Sequence, residues 1–103
     1  MPYIKPDERE RIDFLLAELK SHLHTAFNAS DRKGQLNYAI TTLLLDSFPS
    51  DPRYSDINDQ IGVLECAKLE LYRRRAAPYE DSKAQENGDV FTQSSNLLGC
   101  NPV

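Results

Sequence analysis

The chain has 103 residues, with 12 Lys and Arg against 16 Asp and Glu, and a formal net charge of −4. This length predicts one small domain, and a hydrophobic content of 40% is typical of a globular protein rather than a disordered one. The acidic balance argues against duplex DNA as a partner, because that binding depends on neutralising many phosphates.

The ends of the chain and its cysteines predict a cytoplasmic protein with reduced thiols. No apolar run is long enough to span a membrane, and the opening MPYIKPDERER lacks the apolar core of a signal peptide. The only two cysteines, Cys66 and Cys100, fall in a predicted helix and a polar tail, so we expect no disulfide between them.

The first predicted helix follows an extended arm and begins at Pro6 or Asp7, where acidic residues suit the helix dipole. It should end near Phe27 or Asn28. Its apolar residues recur at helical spacing: Ile12, Leu15, Leu16, Leu19, Leu23, Ala26 and Phe27.

The second predicted helix is capped by Ser30 or Asp31. One face carries the core-type residues Leu36, Ala39, Ile40, Leu43 and Leu44. Tyr38 and Leu45 share the back of this helix, and Phe14 lies outside the stripe of the first helix. These side chains predict a second apolar surface that another subunit covers.

The third predicted helix has Ser55 as its N-cap and runs to Arg75 or Ala76, where Pro78 should prevent further regular helix. Its apolar residues occur nearly all round, which is typical of a helix that is central or shared between subunits. Gly62 within it predicts a close approach of another helix.

The C-terminal part predicts a short helix from Tyr79 to Glu86, closed by Asn87-Gly88, with Val90 and Phe91 packing back on the bundle. We therefore predict an all-α bundle of three main helices plus a short C-terminal helix, assembled as a homo-oligomer. Residues 1–91 would form a single helical domain, and residues 92–103 a mobile tail.

Three stretches carry a family resemblance: MPYIKPDERERID, GQLNYAITTLLL and YSDINDQIGVLECAKLELYRRRAAPYEDSKAQENGDV. Together they resemble a small uncharacterised family of phage and bacterial proteins over Met1 to about Phe91. This resemblance implies no activity. If a phage encodes the protein, its location would be the host cytoplasm.

A second resemblance is architectural. The stretch LYRRRAAP is similar in style to the end of the long helix in one family of phage counter-defence proteins, which are small helical oligomers that sequester cyclic nucleotide signals. It implies capture of a host immune signalling nucleotide, and it assigns no functional residue.

Lys68, Tyr72 and Arg75 are the candidate ligand-binding residues, because they fall on the apolar stripe of the third helix. Cations on a face that looks buried need an acidic partner or an anionic ligand. Glu65 or the acids of the first helix could supply that partner. Alternatively, the cations could bind phosphate while the ring stacks on a base.

Further candidates surround this trio. Arg73 and Arg74 complete a basic run that could bind an anion or simply suit the C-terminus of a helix. Asn37 and Tyr38 could contact a base edge or form a hydrogen bond at an interface. Glu80 and Asp81 are expected to contact an arginine rather than to act as a catalytic pair.

No spacing predicts a metal or cofactor site. His22 and His24 lie on opposite sides of their helix, and no glycine-rich phosphate loop is present. The leading hypothesis is thus a non-catalytic protein that captures a small anionic ligand. The alternatives are a helical adapter or inhibitor of a host or phage protein, and a small enzyme that acts on nucleotides.

Overall fold

The computed structural model describes residues 1–25 and 28–91, and every regular element in these ranges is a helix. The elements are α1 (Pro6–His24), α2 (Ala29–Asp46), α3 (Tyr54–Leu71), a π-helical segment (Tyr72–Ala76) and α4 (Ala77–Asn87). The predicted all-α class is confirmed. The C-terminal helix is not separate, however, because α4 continues the third helix without a break.

Contacts divide the chain into two compact units, Met1–Glu65 and Cys66–Val103. In the first unit α1 packs against α2, and their half-buried side chains include Leu19, Leu23 and Ala39. The side-chain amide of Gln60 donates a hydrogen bond of 2.5 Å to the carbonyl of Leu44, which ties the start of α3 to the end of α2.

Neither unit contains a buried core in the part of the chain that the structure describes. Large apolar side chains such as Phe14, Tyr38 and Leu45 are 65–73% exposed. Val90 and Phe91 are 85% and 69% exposed, so the prediction that they pack back on the bundle is wrong. A single copy therefore gains little of the burial that normally stabilises a folded domain.

The N-terminal boundary of α2 differs from its prediction. Its N-cap is Asn28, which has extended backbone angles and accepts the backbone N–H of Asp31 at 2.9 Å. An amide in that position satisfies the N3 donor, so neither Ser30 nor Asp31 serves as the cap. α1 also ends at His24, earlier than predicted, while Phe27 lies outside the described residues.

The start of α3 also differs slightly from the prediction. The helix begins at Tyr54, one residue before the expected N-cap Ser55. The Asp56 carboxylate accepts the backbone N–H of Arg53 at 2.9 Å. No side-chain atom meets a Cβ placed on Gly62, so the close helix approach expected there does not occur within the described chain.

The largest departure from prediction is the passage of the helix through Pro78. Within an α-helix, proline lacks the N–H that would bond the carbonyl four residues earlier, and its ring collides with that carbonyl. Here the N–H of Ala77 donates instead to the carbonyl of Tyr72, five residues earlier. The wider π turn gives the chain room for the ring, so the predicted end at Arg75 or Ala76 is wrong.

Two remaining features concern the helix end and the cysteines. Gly88 has a φ of +94° and ends α4, as the Asn87-Gly88 pair predicted. Cys66 is exposed with a free thiol, whereas Cys100 and the predicted tail of residues 92–103 lie outside the described residues. No helix in the described ranges has the length and apolar character to cross a membrane.

Candidate functional site

One face of the second unit forms a shallow groove of about 590 Å³. We call it the basic aromatic groove, and its lining is Lys68, Leu71, Tyr72, Arg75, Ala76 and Tyr79. Successive members are separated by three residues or by one, so all six project from the same side of the helix. The sequence-predicted trio of Lys68, Tyr72 and Arg75 is therefore brought together.

Cations and rings alternate along this groove, in the order Lys68, Tyr72, Arg75 and Tyr79. From the first to the last the helix advances 11 residues, or about 16 Å at 1.5 Å per residue. Tyr72 and Tyr79 are both 53% exposed, so part of each residue can be reached from solvent. Leu71 and Ala76 add apolar surface between the polar ends.

The two cations do not lie on a buried face. Lys68 and Arg75 are both exposed, so the sequence-based expectation of cations inside an apolar core does not hold for this chain. Lys68 takes part in an interaction with another group of the protein. A ligand would therefore compete with that contact, whereas Arg75 has no hydrogen bond or ion pair within the described residues.

The basic run lies in the interior of a helix rather than at its end. Because α4 continues to Asn87, the explanation that Arg73, Arg74 and Arg75 suit a helix C-terminus is wrong. Arg73 forms an ion pair with the Glu70 carboxylate on a neighbouring part of the helix surface. It does not line the basic aromatic groove, and neither does Arg74.

Tyr72 is held by a hydrogen bond that spans the π-helical segment. Its hydroxyl donates to the Glu80 carboxylate at 3.0 Å. This hydrogen bond, and the negative charge of Glu80, raise the pKa of the Tyr72 phenol above its ordinary value of 10.0. Glu80 was expected to contact an arginine, and it instead accepts the hydroxyl of Tyr72.

Tyr79 has the Lys83 ammonium over its ring. The ammonium of Lys83 lies 5.6 Å from the centre of the Tyr79 ring and 3.5 Å from the Glu86 carboxylate. Lys83 adds positive potential near this end of the groove.

The other two predicted site residues belong to the first unit. Tyr38 is 73% exposed and lines an apolar groove of about 520 Å³ between α1 and α2, which we call the hairpin groove; Leu19, Leu23, Ala39 and Leu43 also line it. The side-chain oxygen of Asn37 accepts the hydroxyl of Thr41 at 3.3 Å on the same helix.

Sequence reasoning did not place Tyr79 in the site, gave Glu80 the wrong partner, and missed the π-helical segment that lies between them and Tyr72. The signal was present in the letters YRRRAAP, because helical periodicity continues on both sides of Pro78. A proline inside a continuing periodic pattern can be accommodated by a π turn, and such turns occur often at functional sites. No cluster of metal-ligating side chains is found among the described residues.

The comparisons with known proteins give a family and no activity. No curated protein and no solved structure matches the chain. A family profile described as a domain of unknown function (DUF6899) matches residues 1–90. The matched residues include α2 and every residue that lines the basic aromatic groove. The match agrees with the resemblance to an uncharacterised family. The chain belongs to the DUF6899 family.

Proposed function

We propose that the protein is a non-catalytic binding protein that captures a small anionic, base-containing ligand in the basic aromatic groove. The alternation of Lys68, Tyr72, Arg75 and Tyr79 along one helix face carries this proposal. A guanidinium can bind phosphate through paired hydrogen bonds, an ammonium adds a point charge, and a tyrosine ring can stack on a base.

The lining of the groove supports binding rather than catalysis. It contains no carboxylate, imidazole or thiol. Of its lysine and tyrosine side chains, Lys68 and Tyr72 each already interact with another group of the protein. The Glu80 carboxylate accepts a hydrogen bond from the Tyr72 hydroxyl and favours the neutral phenol. A neutral ring held in place provides a stacking surface without repelling phosphate.

The ligand we favour is a nucleotide with two bases and two phosphates. Two rings and two cations alternate over about 16 Å of helix, which matches alternating bases and phosphates. The resemblance to phage counter-defence proteins supports a host immune signalling nucleotide, sequestered in the host cytoplasm by a phage-encoded homo-oligomer. The exposed apolar side chains support the homo-oligomer.

Calorimetry of the full chain tests this proposal. Protein at tens of micromolar is titrated with cyclic dinucleotides, linear dinucleotides, mononucleotides and inorganic phosphate. We expect dinucleotides to bind most tightly and phosphate alone to bind weakly, since phosphate engages the cations but not the rings. If no member of the panel gives heat or competes with another, the proposal is wrong.

A second candidate function is favoured by a specific observation, the apolar hairpin groove of the first unit. The protein would then be a helical adapter or inhibitor that binds a host or phage protein through α1 and α2. A stoichiometric protein partner, recovered with equal yield in the presence and absence of nucleotides, would support this candidate.

A further inference from the structure

The carboxylate of Glu80 adjoins the basic aromatic groove, although Glu80 is not one of the six residues that line it. A second hollow of about 490 Å³ is lined by Ala76, Tyr79, Glu80 and Lys83. Ala76 and Tyr79 also line the groove, so the two hollows meet at these residues. A ligand that stacks on the rings of the groove therefore has a negative charge beside it.

The π-helical segment places Glu80 on the same side of the helix as Tyr72. In a regular α-helix, positions eight apart are offset by about 80° around the axis. A π turn takes one residue more than an α turn, so these two residues are related like positions seven apart, which share a side. The hydrogen bond of 3.0 Å from the Tyr72 hydroxyl to Oε1 of Glu80 agrees with this relation.

Glu80 retains the capacity to accept a hydrogen bond from a ligand. An ionised carboxylate can accept about four hydrogen bonds on its two oxygens. Among the described residues, the Tyr72 hydroxyl is the only hydrogen-bond or ion-pair partner of Glu80, and it contacts Oε1. The ammonium of Lys83 pairs with the Glu86 carboxylate instead, at 3.5 Å. Glu80 is also exposed, so its carboxylate is available to a donor from solution.

A carboxylate in this position discriminates between the parts of a nucleotide. It repels phosphate, so the phosphates of the proposed ligand belong beside Lys68 and Arg75. It attracts a hydrogen-bond donor, and a ribose hydroxyl is a donor that is present whichever base the nucleotide carries. Stacking on tyrosine tolerates every base, so the sugar is a group that Glu80 can recognise in all of them. Carboxylates recognise ribose hydroxyls in this way in dinucleotide-binding folds.

We propose that Glu80 makes the site selective for ribonucleotides, because its Oε2 atom accepts a hydrogen bond from a 2′-hydroxyl of the ligand. This role rests on the proposed function and adds the sugar class of the ligand to it. Glu80 then has two separate contacts: Oε1 holds the phenol of Tyr72, and Oε2 receives the sugar.

Calorimetry with matched sugars tests this role. The full chain is titrated with the ribo and 2′-deoxy forms of a cyclic diadenylate and of a linear diadenylate that carries a terminal phosphate. Each pair shares its bases and phosphates and differs only in the sugar. We expect the wild-type chain to bind the ribo forms about five- to tenfold more tightly, since a hydrogen bond to a charged acceptor is stronger than a neutral one.

Two neighbouring variants assign the preference to one carboxylate. Glu80→Ala should bring the ratio of the two affinities close to one. Asp81→Ala removes the same charge from the next residue, which does not line the second hollow, and it should leave the ratio unchanged. Loss of the contact with Tyr72 would weaken both sugar forms alike, so the ratio reports the sugar contact alone.

The outcomes separate this role from the proposed function. If the wild-type chain binds the ribo and deoxy forms equally, or if Glu80→Ala keeps the preference, the role of Glu80 is wrong while nucleotide capture stands. If none of the four ligands binds, the capture of a dinucleotide is itself wrong, and the role of Glu80 with it.

Discussion

The Tyr72 hydroxyl donates a hydrogen bond of 3.0 Å to the Glu80 carboxylate, eight residues later on the same helical stretch. In a regular α-helix, positions eight apart are separated by about two turns, or 12 Å. The hydrogen bond between these two side chains spans the π-helical segment Tyr72–Ala76, which contains Arg75. This contact holds one of the two rings that line the basic aromatic groove.

Removing the charge of Glu80 should lower the pKa of Tyr72. In the native protein the Glu80 carboxylate accepts a hydrogen bond from the neutral phenol, and its negative charge repels the phenolate. Both effects raise the pKa of Tyr72 above 10.0. Glu80→Gln should return it toward the ordinary value, as measured by the ultraviolet absorbance of phenolate. Tyr72→Phe identifies which of the five tyrosines is responsible. An identical titration of wild type and Glu80→Gln would contradict the assignment.

The same shift predicts how alkaline pH affects stability. The Tyr72 pKa is higher in the folded state than in the unfolded state, so its contribution is fully present below the unfolded pKa near 10 and is lost as the pH rises through the folded pKa. The free energies of unfolding of wild type and Tyr72→Phe, measured by chemical denaturation, should therefore converge at strongly alkaline pH. If the difference in unfolding free energy between the two proteins stays constant as the pH rises above 10, the hydrogen bond is not the source of that difference.

Pro78→Ala should stabilise the helix and weaken the groove. Proline costs about 3 kcal/mol relative to alanine in a helix interior, and the π turn relieves only part of that cost. We expect about 1–2 kcal/mol more stability by chemical denaturation. If the α-type hydrogen bonds re-form, Tyr79 rotates away from Lys68 and nucleotide binding falls. A destabilised variant would show that the π turn does not arise from the proline.

The N-cap of α2 can be tested with two neighbouring substitutions. Asn28→Ala should cost about 1 kcal/mol of stability, because the N–H of Asp31 loses its acceptor. Ser30→Ala should change stability by less than about 0.5 kcal/mol, since Ser30 lies inside the helix. If thermal unfolding shows that the two substitutions lower stability equally, Asn28 is not the N-cap of α2.

The ion pair between Arg73 and Glu70 should matter little for stability or for ligand binding. The Arg73 side chain is 64% exposed, and exposed pairs contribute about 0.2–1 kcal/mol. Glu70→Gln should therefore lower stability by less than about 1 kcal/mol and leave nucleotide affinity unchanged. A loss of affinity with this variant would move the site toward Arg73 and away from the groove.

The helical class and the central trio of the site could be predicted from the sequence, because both follow from local periodicity. The stripes of α1 and α2 repeat every three or four residues, and the same spacing places Lys68, Tyr72 and Arg75 on one face. Such patterns report which residues share a side of a helix, whatever that side packs against.

Burial and the path through Pro78 could not be predicted in this way. Periodicity marks Lys68 and Arg75 as members of an apolar stripe, but whether that stripe is buried depends on the packing of other elements or copies. Pro78 breaks an α-helix, whereas the chain adopts a π turn that the proline rule does not anticipate. Glu80 was misassigned because its partner lies across that turn.

Calorimetric titration of two arginine variants with a cyclic dinucleotide tests the basic aromatic groove most directly. Arg75→Ala and Arg74→Ala remove the same charge from adjacent positions, but only Arg75 lines the groove. We expect Arg75→Ala to weaken binding at least about tenfold, equivalent to about 1.4 kcal/mol, and Arg74→Ala to change it less than about threefold. Equal losses from both variants would show attraction by net charge alone, and would contradict a site built around Lys68, Tyr72, Arg75 and Tyr79.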